Sequence, residues 1–398
     1  MRSIVALVAV ASSLTAHAEE VTEGAFLAAI DGEHPAVRAL GEGLARAEAA
    51  RRRAGTLGNP RFEFWREQPH ANPRLTNWTV AWTPPLDGRF GLGKNAAAAG
   101  VAAAREGLAA ERARLRAELR RVFAEWSLGH ERHALLARRL EQVAGLAEQE
   151  RQRARVGTES GLSARRLTLA EAEARAALRE AEAALVRAEA QARAWQRDLP
   201  RDASPAPPLL LAPPDAADPL ASPALRALGH ELQQIQLESR MAGRFWGFPT
   251  LQMGVQRLET AGVVQTGPLF GAGWSIPIFD RDQGRRAEAL RRSEIAAARL
   301  KQAQALVAGE VQGALEAYRS LFASAREAAE ASAETDRVIA AATAAYLAGE
   351  TSLTDLLDAL RAAFEARLRN VDVRGQALAA HRNLEAALGR ALTDGGVR

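Results

Sequence analysis

The sequence predicts a mainly α fold with a small β part, laid out as an internal two-fold repeat of long helical hairpins. Three observations lead there. Most of the 398 residues are Ala, Leu, Glu and Arg, the types that best tolerate helix. Four short segments break that composition and alternate with period two: Phe62–Gln68, Thr76–Thr83, Thr250–Leu258 and Leu269–Ile276. Finally, two landmarks recur at nearly equal spacing, 77 positions from Pro85 to Leu162 and 76 from Pro277 to Leu353.

Each element follows in order. Arg2, an apolar run Ile4–Val10 and the small-residue ending Ala16-His17-Ala18 read as a signal peptide over 1–18, cleaved after Ala18. The run is far short of the ~20 residues a spanning helix needs. The first repeat covers 19–200, a Pro-rich linker 201–222 and the second repeat 223–398. Each repeat reads as leading helix, β-hairpin, long helix, tight turn and returning helix. Loops rich in Pro, Asn and Gly separate the two strands of each hairpin. The leading helices are placed at Val21–Ala54 and Ser222–Phe245, the long helices at Gly93–Arg155 and Gln283–Tyr346. The returning helices fall at Ser163–Arg197 and Thr354–Leu392. At 1.5 Å per residue each long helix reaches roughly 95 Å. The segment Asp198–Pro223 is expected to be a polar strap outside the core.

The strand faces carry the first functional information. Trp78, Val80 and Trp82 share one face of the second strand, with Asn77, Thr79 and Ala81 opposite. Phe270, Ala272, Trp274 and Ile276 likewise oppose Gly271, Gly273 and Ser275. Four amphipathic strands cannot close a barrel alone, and open edges in lipid leave backbone groups unpaired. Three copies supply twelve strands, which would enclose an aqueous lumen. Trp78, Trp82, Phe270 and Trp274 are then the expected lipid-facing aromatics. A soluble sandwich is the competing reading, and the long helices speak against it.

Charge excludes other classes. The net charge is +4, and Arg alternates with Glu along helical patterns such as Glu171-Ala-Glu173-Ala-Arg175, a solvated helix face rather than a nucleic-acid footprint. With no cysteine there are no disulfides and no thiolate metal sites. His130 and His133 stand at i, i+3 without a third ligand, so no metal and no cofactor is expected. Gly91-Leu-Gly93-Lys94 is too short for a phosphate loop, no nucleophile elbow occurs, and the chain is not expected to be an enzyme.

The combination of repeat, hairpins and long helices resembles the TolC-like outer membrane efflux proteins. Three stretches carry the likeness locally: Tyr346-Leu-Ala-Gly349-Glu-Thr-Ser-Leu353-Thr-Asp355-Leu-Leu-Asp358-Ala359, Gly58-Asn59-Pro60 and Pro85-Leu-Asp-Gly-Arg89. Asn-Pro followed by Phe62-Glu-Phe64 is most similar to the heavy-metal cation (CzcC-like) branch. The resemblance implies a homotrimer in the outer membrane of a Gram-negative bacterium, with a long periplasmic helical barrel. It also implies a periplasmic adaptor and an inner-membrane RND-type pump as partners. Asp355 and Asp358 would form the periplasmic gate, since rings of carboxylates attract cations. Gly157, Thr158, Leu162 and Ser163, with Gly349, Thr351, Ser352 and Leu353, would form the adaptor-docking tips. Ser163 and Thr354 would cap or flank the returning helices. A protein-secretion or drug-efflux duct of the same fold, and a periplasmic coiled-coil adaptor, are the alternatives.

Overall fold

The computed structural model describes residues 20–31, 34–68, 73–155, 161–244, 247–276, 278–279 and 281–392. The expected leader at 1–18 and the tip residues Gly157 and Thr158 lie outside them. The first half comprises β1 (Glu20–Val21), α1 (Glu23–Asp31), α2 (Pro35–Ala54), β2 (Arg61–Glu67), β3 (Arg74–Trp82), α3 (Arg89–Arg155) and α4 (Gly161–Trp195). Then come β4 (Ser204–Pro205), a 3-10 turn at Pro219–Ala221, α5 (Pro223–Ala242), β5 (Thr250–Thr260), β6 (Val263–Gly273), α6 (Gln283–Ala333), α7 (Thr335–Leu347) and α8 (Leu353–Leu388). The chain divides into two compact units. One holds residues 1–32, 116–213 and 317–382; the other holds 33–115, 214–316 and 383–398. Among the described residues, no helix is long and apolar enough to cross a membrane.

Two helices expected to be continuous are broken, each for a local reason. The leading helix splits before Pro35, which sits at the first position of α2, where its missing N–H costs nothing. The His34 ring accepts from the Ala36 N–H at 3.2 Å and caps the new start. The second long helix breaks at Glu334. There the Thr335 hydroxyl donates back to the Ser332 carbonyl at 2.6 Å and accepts from Arg367 Nε at 2.7 Å. Such back-bonding competes with the helical ladder and bends it. The first long helix, α3, starts four residues earlier than expected, after Gly88 turns the chain at φ +77° and the Asp87 carboxylate accepts from the Arg89 N–H.

In the second unit, β2, β3, β5 and β6 form one antiparallel sheet in that order, so the two hairpins join through β3 and β5. The expected long loop between the third and fourth strands is instead a two-residue turn. Ala261 and Gly262 both have positive φ (50° and 83°), the mirror-image turn that matches strand twist. Pro268 lies inside β6, and an edge strand tolerates it because only one side is laddered. The fourth strand accordingly ends at Gly273, leaving Trp274 and Ile276 beyond it. Gly254 sits where β5 meets β3 most closely: a Cβ there would overlap the Trp78 carbonyl and the Thr79 Cα.

The first unit carries the strap. Strand β4 pairs in parallel with β1, and the Ala206 N–H donates to the Val21 carbonyl at 2.9 Å. The Ser127 hydroxyl of α3 and the Tyr318 hydroxyl of α6 donate to the strap carbonyls of Ala206 and Leu211. The segment is not the purely polar strap that its prolines and charges predict. Leu199 and Ala203 are buried, and Leu210 packs on Ala325, Val373 and Ala377. Apolar residues between prolines give a strap its own footing without a helix.

Beneath α1 lies an ionic centre that no sequence pattern announces. The Glu23 carboxylate accepts from Arg120 at 2.9 Å and from Arg382 at 2.8 Å. Arg382 also donates to His381 Nδ1 at 2.9 Å; a guanidinium only donates, so His381 is the acceptor there. The His381 ring stacks on Tyr318, with centroids 5.0 Å apart. His381 and Tyr318 are wholly inaccessible to solvent, and Arg382 nearly so. Phe26, Phe123 and Trp126 close the apolar wall.

Candidate functional site

Two places carry chemistry, the sheet and the turn between α7 and α8. On the sheet, register sets side chains in rows across the strands. Phe62, Val80, Met253 and Phe270 form one row, and Phe64, Trp78, Val255 and Pro268 the next. Trp82, Leu251 and Ala272 form a third row on the same face. The apolar side chains of these rows are exposed, Phe270 at 77% and Phe62 at 66%, whereas Asn77, Thr79 and Ala81 on the reverse face of β3 are buried. A sheet folding in water buries its apolar face, because each large side chain gains about 2 kcal/mol there. Here the alternation is inverted.

The apolar band has an edge. The row beyond Phe64 and Trp78 is Arg66, Thr76, Arg257 and Thr266, and past it Arg74 pairs with Glu259 at 3.8 Å. At the opposite end stand two tryptophans with one job. Trp82 Nε1 donates to the Gly58 carbonyl at 3.1 Å, and Trp274 Nε1 donates to the Gly247 carbonyl at 3.0 Å. Both acceptors belong to a Gly-x-Pro step just before a hairpin. Each indole keeps its ring exposed and its N–H satisfied, as an apolar–polar boundary requires. Trp78, Trp82, Phe270 and Trp274 are thus all on the exposed face. Phe62 and Phe64 belong with them, although the expected lipid-facing set omits them. Trp65 shares the other face, in register with Asn77 and Gln256.

At the helical turn, Gly349 has φ +77° and its N–H donates to the Tyr346 carbonyl, while the Glu350 N–H reaches back to the Ala345 carbonyl at 2.9 Å. These two bonds satisfy the last carbonyls of α7 and need a residue at ease with positive φ. The start of α8 is a reciprocal box. The Asp355 N–H donates to Ser352 Oγ at 3.2 Å, and the Asp355 carboxylate accepts from the Ser352 hydroxyl at 2.7 Å and backbone N–H at 3.2 Å. The cap is therefore Ser352, not Thr354. Ser163 likewise lies inside the first turn of α4, which begins at Gly161. Thr354 has another task, accepting from Arg166 Nη1 of α4 at 2.8 Å.

Asp355 and Asp358 lie one turn apart, both exposed, opposite the buried stripe Leu353, Leu356 and Leu360. Their surroundings differ. The Ser352 side-chain and backbone hydrogen bonds hold the Asp355 carboxyl below the usual carboxylate range. Asp358 instead lines a groove of about 290 Å³ between α3, α4 and α8, among Arg139, Arg166, Arg361 and Glu173. Thr351 and Ser352 are exposed, Leu353 packs inward with Leu167, Leu356 and Phe364, and Leu162 at the head of α4 is exposed. The two tip positions matched by the repeat spacing thus differ: Leu162 faces solvent and Leu353 the core.

His130 and His133 do not share a ligand geometry. His130 Nε2 is 3.4 Å from Glu189 and His133 Nε2 is 3.8 Å from Glu182. Burial lowers the His130 pKa against the pull of Glu189. Among the described residues, no group of three or more His, Cys, Asp or Glu side chains is placed to hold a metal ion.

Comparison with known proteins gives the same picture of the fold. Residues 220–390 match the profile of a family described as "Outer membrane efflux protein". No curated protein matches the chain. Among solved structures, CusC superposes with a TM-score of 0.75 at 15% identity, covering 93% of this chain and 92% of that one. The open state of the Neisseria gonorrhoeae MtrE outer membrane channel gives 0.73 at 17% identity, with 94% and 91% covered. The Campylobacter jejuni CmeC outer membrane channel gives 0.73 at 14% identity, with 92% and 85% covered. The chain has the fold of these channels.

Proposed function

We propose that the chain is the outer-membrane duct of a tripartite efflux assembly, working as a homotrimer in a Gram-negative envelope. The observation that carries this reading is the inverted sheet: an apolar face turned outward, a polar face turned away, and both edges, β2 and β6, open in the chain. Water penalises that arrangement and lipid rewards it, provided the edges are closed. Three copies close them into twelve strands. The family profile over 220–390 and the fold shared with outer-membrane channels support the same reading. A periplasmic adaptor would engage the helical tips, at Leu162 and Ser163 and at Gly349–Leu353, with Gly157 and Thr158 completing the first tip. An inner-membrane RND-type pump would energise the assembly. Heavy-metal cations are the proposed cargo, on the likeness of Asn59-Pro60 and Phe62-Glu-Phe64 to that branch. The chain would then conduct, not catalyse.

Asp355 and Asp358 form the proposed periplasmic gate, and their different surroundings divide the work. Asp355 is engaged in its cap; Asp358 is the carboxylate left to act on ions. In planar bilayers the purified protein should conduct, and Asp358→Ala should raise conductance or weaken cation preference. Asp355→Ala should chiefly loosen the start of α8 by removing the acceptor of the Ser352 hydroxyl and backbone N–H. Wild-type protein that gives no channels would sink the duct reading. Channels insensitive to Asp358→Ala in both conductance and selectivity would remove the gate alone.

A further inference from the structure

Inside the chain, the turn following the first hairpin is riveted to the segment leading into the second. Arg89 Nε donates to the Arg244 carbonyl at 2.5 Å, with Nη2 on the same oxygen, and Arg244 Nη1 returns a bond to the Asp87 carbonyl at 2.9 Å. Both segments have counterparts in the other half of the repeat. Arg89 aligns with Arg281, since Trp82-Thr-Pro-Pro-Leu-Asp-Gly-Arg89 parallels Trp274-Ser-Ile-Pro-Ile-Phe-Asp-Arg281. The Arg244 carbonyl corresponds to one in the Gly55–Thr56 turn. Gly243 and Gly55 are the C-caps of α5 and α2, and Gly247 and Gly58 are the two tryptophan acceptors. Among the described residues no third hairpin follows Ile278, Phe279 and Arg281, so those residues have no successor segment within the same copy. Phe279 is 91% exposed there, and Ile278 and Arg281 are exposed beside it. Leu57, just past the Gly55–Thr56 turn, is also exposed.

We infer that Phe279 and Arg281 of one copy dock on the Gly55–Leu57 segment of the next copy. Arg281 donates to a backbone carbonyl of that segment, and Phe279 covers Leu57. Strand order leads to the same pairing independently. With β2, β3, β5 and β6 antiparallel throughout, ring closure sets β6 beside the next copy's β2, running the opposite way. The end of β6 at Gly273 then meets the start of β2 at Arg61, which brings Phe279 and Arg281, shortly past the end of β6, toward residues 55–60. The contact is heterologous: one surface offers these residues and a different surface receives them, as a closed three-fold ring requires. The inference rests on the trimer proposed above.

The absence of cysteine makes the test clean. Leu57→Cys with Phe279→Cys, treated with a short bis-maleimide in isolated outer membranes, should yield a ladder of covalent dimer and trimer. Either single variant should yield none. Adding Arg281→Ala should cut the ladder at least fivefold. A trimer by native mass in detergent that gives no ladder overturns the contact and leaves the trimer standing. A monomer by native mass overturns the trimer, and the contact with it.

Discussion

Glu23→Leu lowers stability by about 3–5 kcal/mol, because it removes the carboxylate on which two arginines converge. Arg120 and Arg382 both converge on that carboxylate, and Arg382 lies almost fully buried. The cost is not the loss of a favourable contact measured against water. It is the penalty of buried positive charge that has lost the carboxylate it shares. The double variant Glu23→Leu with Arg382→Met should therefore recover part of the loss, although it removes more native groups. Thermal unfolding of the detergent-solubilised protein, followed by far-UV circular dichroism, reads both. A single variant as stable as wild type would show that the centre contributes no coupling.

The same centre sets an acid limit. Burial, with Arg382 and Arg120 beside the ring, lowers the His381 pKa to about 3, and Glu23 only partly opposes this. The folded value lies below the unfolded value of about 6.5. Between the two, the unfolded chain binds a proton that the folded chain refuses, so stability rises with pH and is lost as pH falls. From pH 6.5 to 5 the loss is about 1.6 kcal/mol, because the slope reaches 1.36 kcal/mol per pH unit only once the unfolded histidine is fully protonated. His381→Gln should flatten that window. Asp355 has the depressed pKa of a hydrogen-bonded carboxylate, so its contribution fades only below the ordinary carboxylate range. A wild-type midpoint that stays level between pH 6.5 and 5 would refute the assignment to His381.

Gly254→Val should abolish assembly. A Cβ at Gly254 would collide with the Trp78 carbonyl and the Thr79 Cα, and backbone cannot step aside as a flexible side chain can. Overpacking alone costs about 1–3 kcal/mol, and here it strikes the ladder that joins the two hairpins. Gly267 lies in β6 opposite Gln256, with nothing within 4 Å of where a side-chain methyl would sit. It should accept alanine with little effect. Native mass and bilayer conductance compare the two variants. Equal behaviour would mean that strand separation at Gly254 relaxes more easily than its geometry implies.

Much of this architecture is legible in the residues, for reasons that can be named. Period-two alternation locates all four strands, and Trp78, Trp82, Phe270 and Trp274 are exposed. Helical composition locates the long helices. It does not reveal where the leading helix and the second long helix break. Pro35 reads as an interior residue until its cap at His34 is seen, and at Thr335 a hydroxyl competes with the ladder. The tight turn at Ala261-Gly262 is hidden because alanine rarely takes positive φ. Two acids three apart identify Asp355 and Asp358 as a pair. Only the hydrogen bonds from Ser352 tell them apart. The Glu23 centre is invisible in sequence because its members lie 359 positions apart at their widest, and single charges among many carry no pattern.

The joining of β3 to β5 also orders events in time. Trp78 finds Val255, 177 positions away, whereas each hairpin closes over a handful of residues. The entropy of closing a loop grows with its length, so local contacts form well before distant ones. The helices and the separate hairpins should therefore appear first, the β3–β5 seam later, and the proposed pairing between copies last of all. In the proposed duct each chain exposes an adhesive apolar band to water until that final step, so chaperones would be needed during that interval and dispensable afterwards.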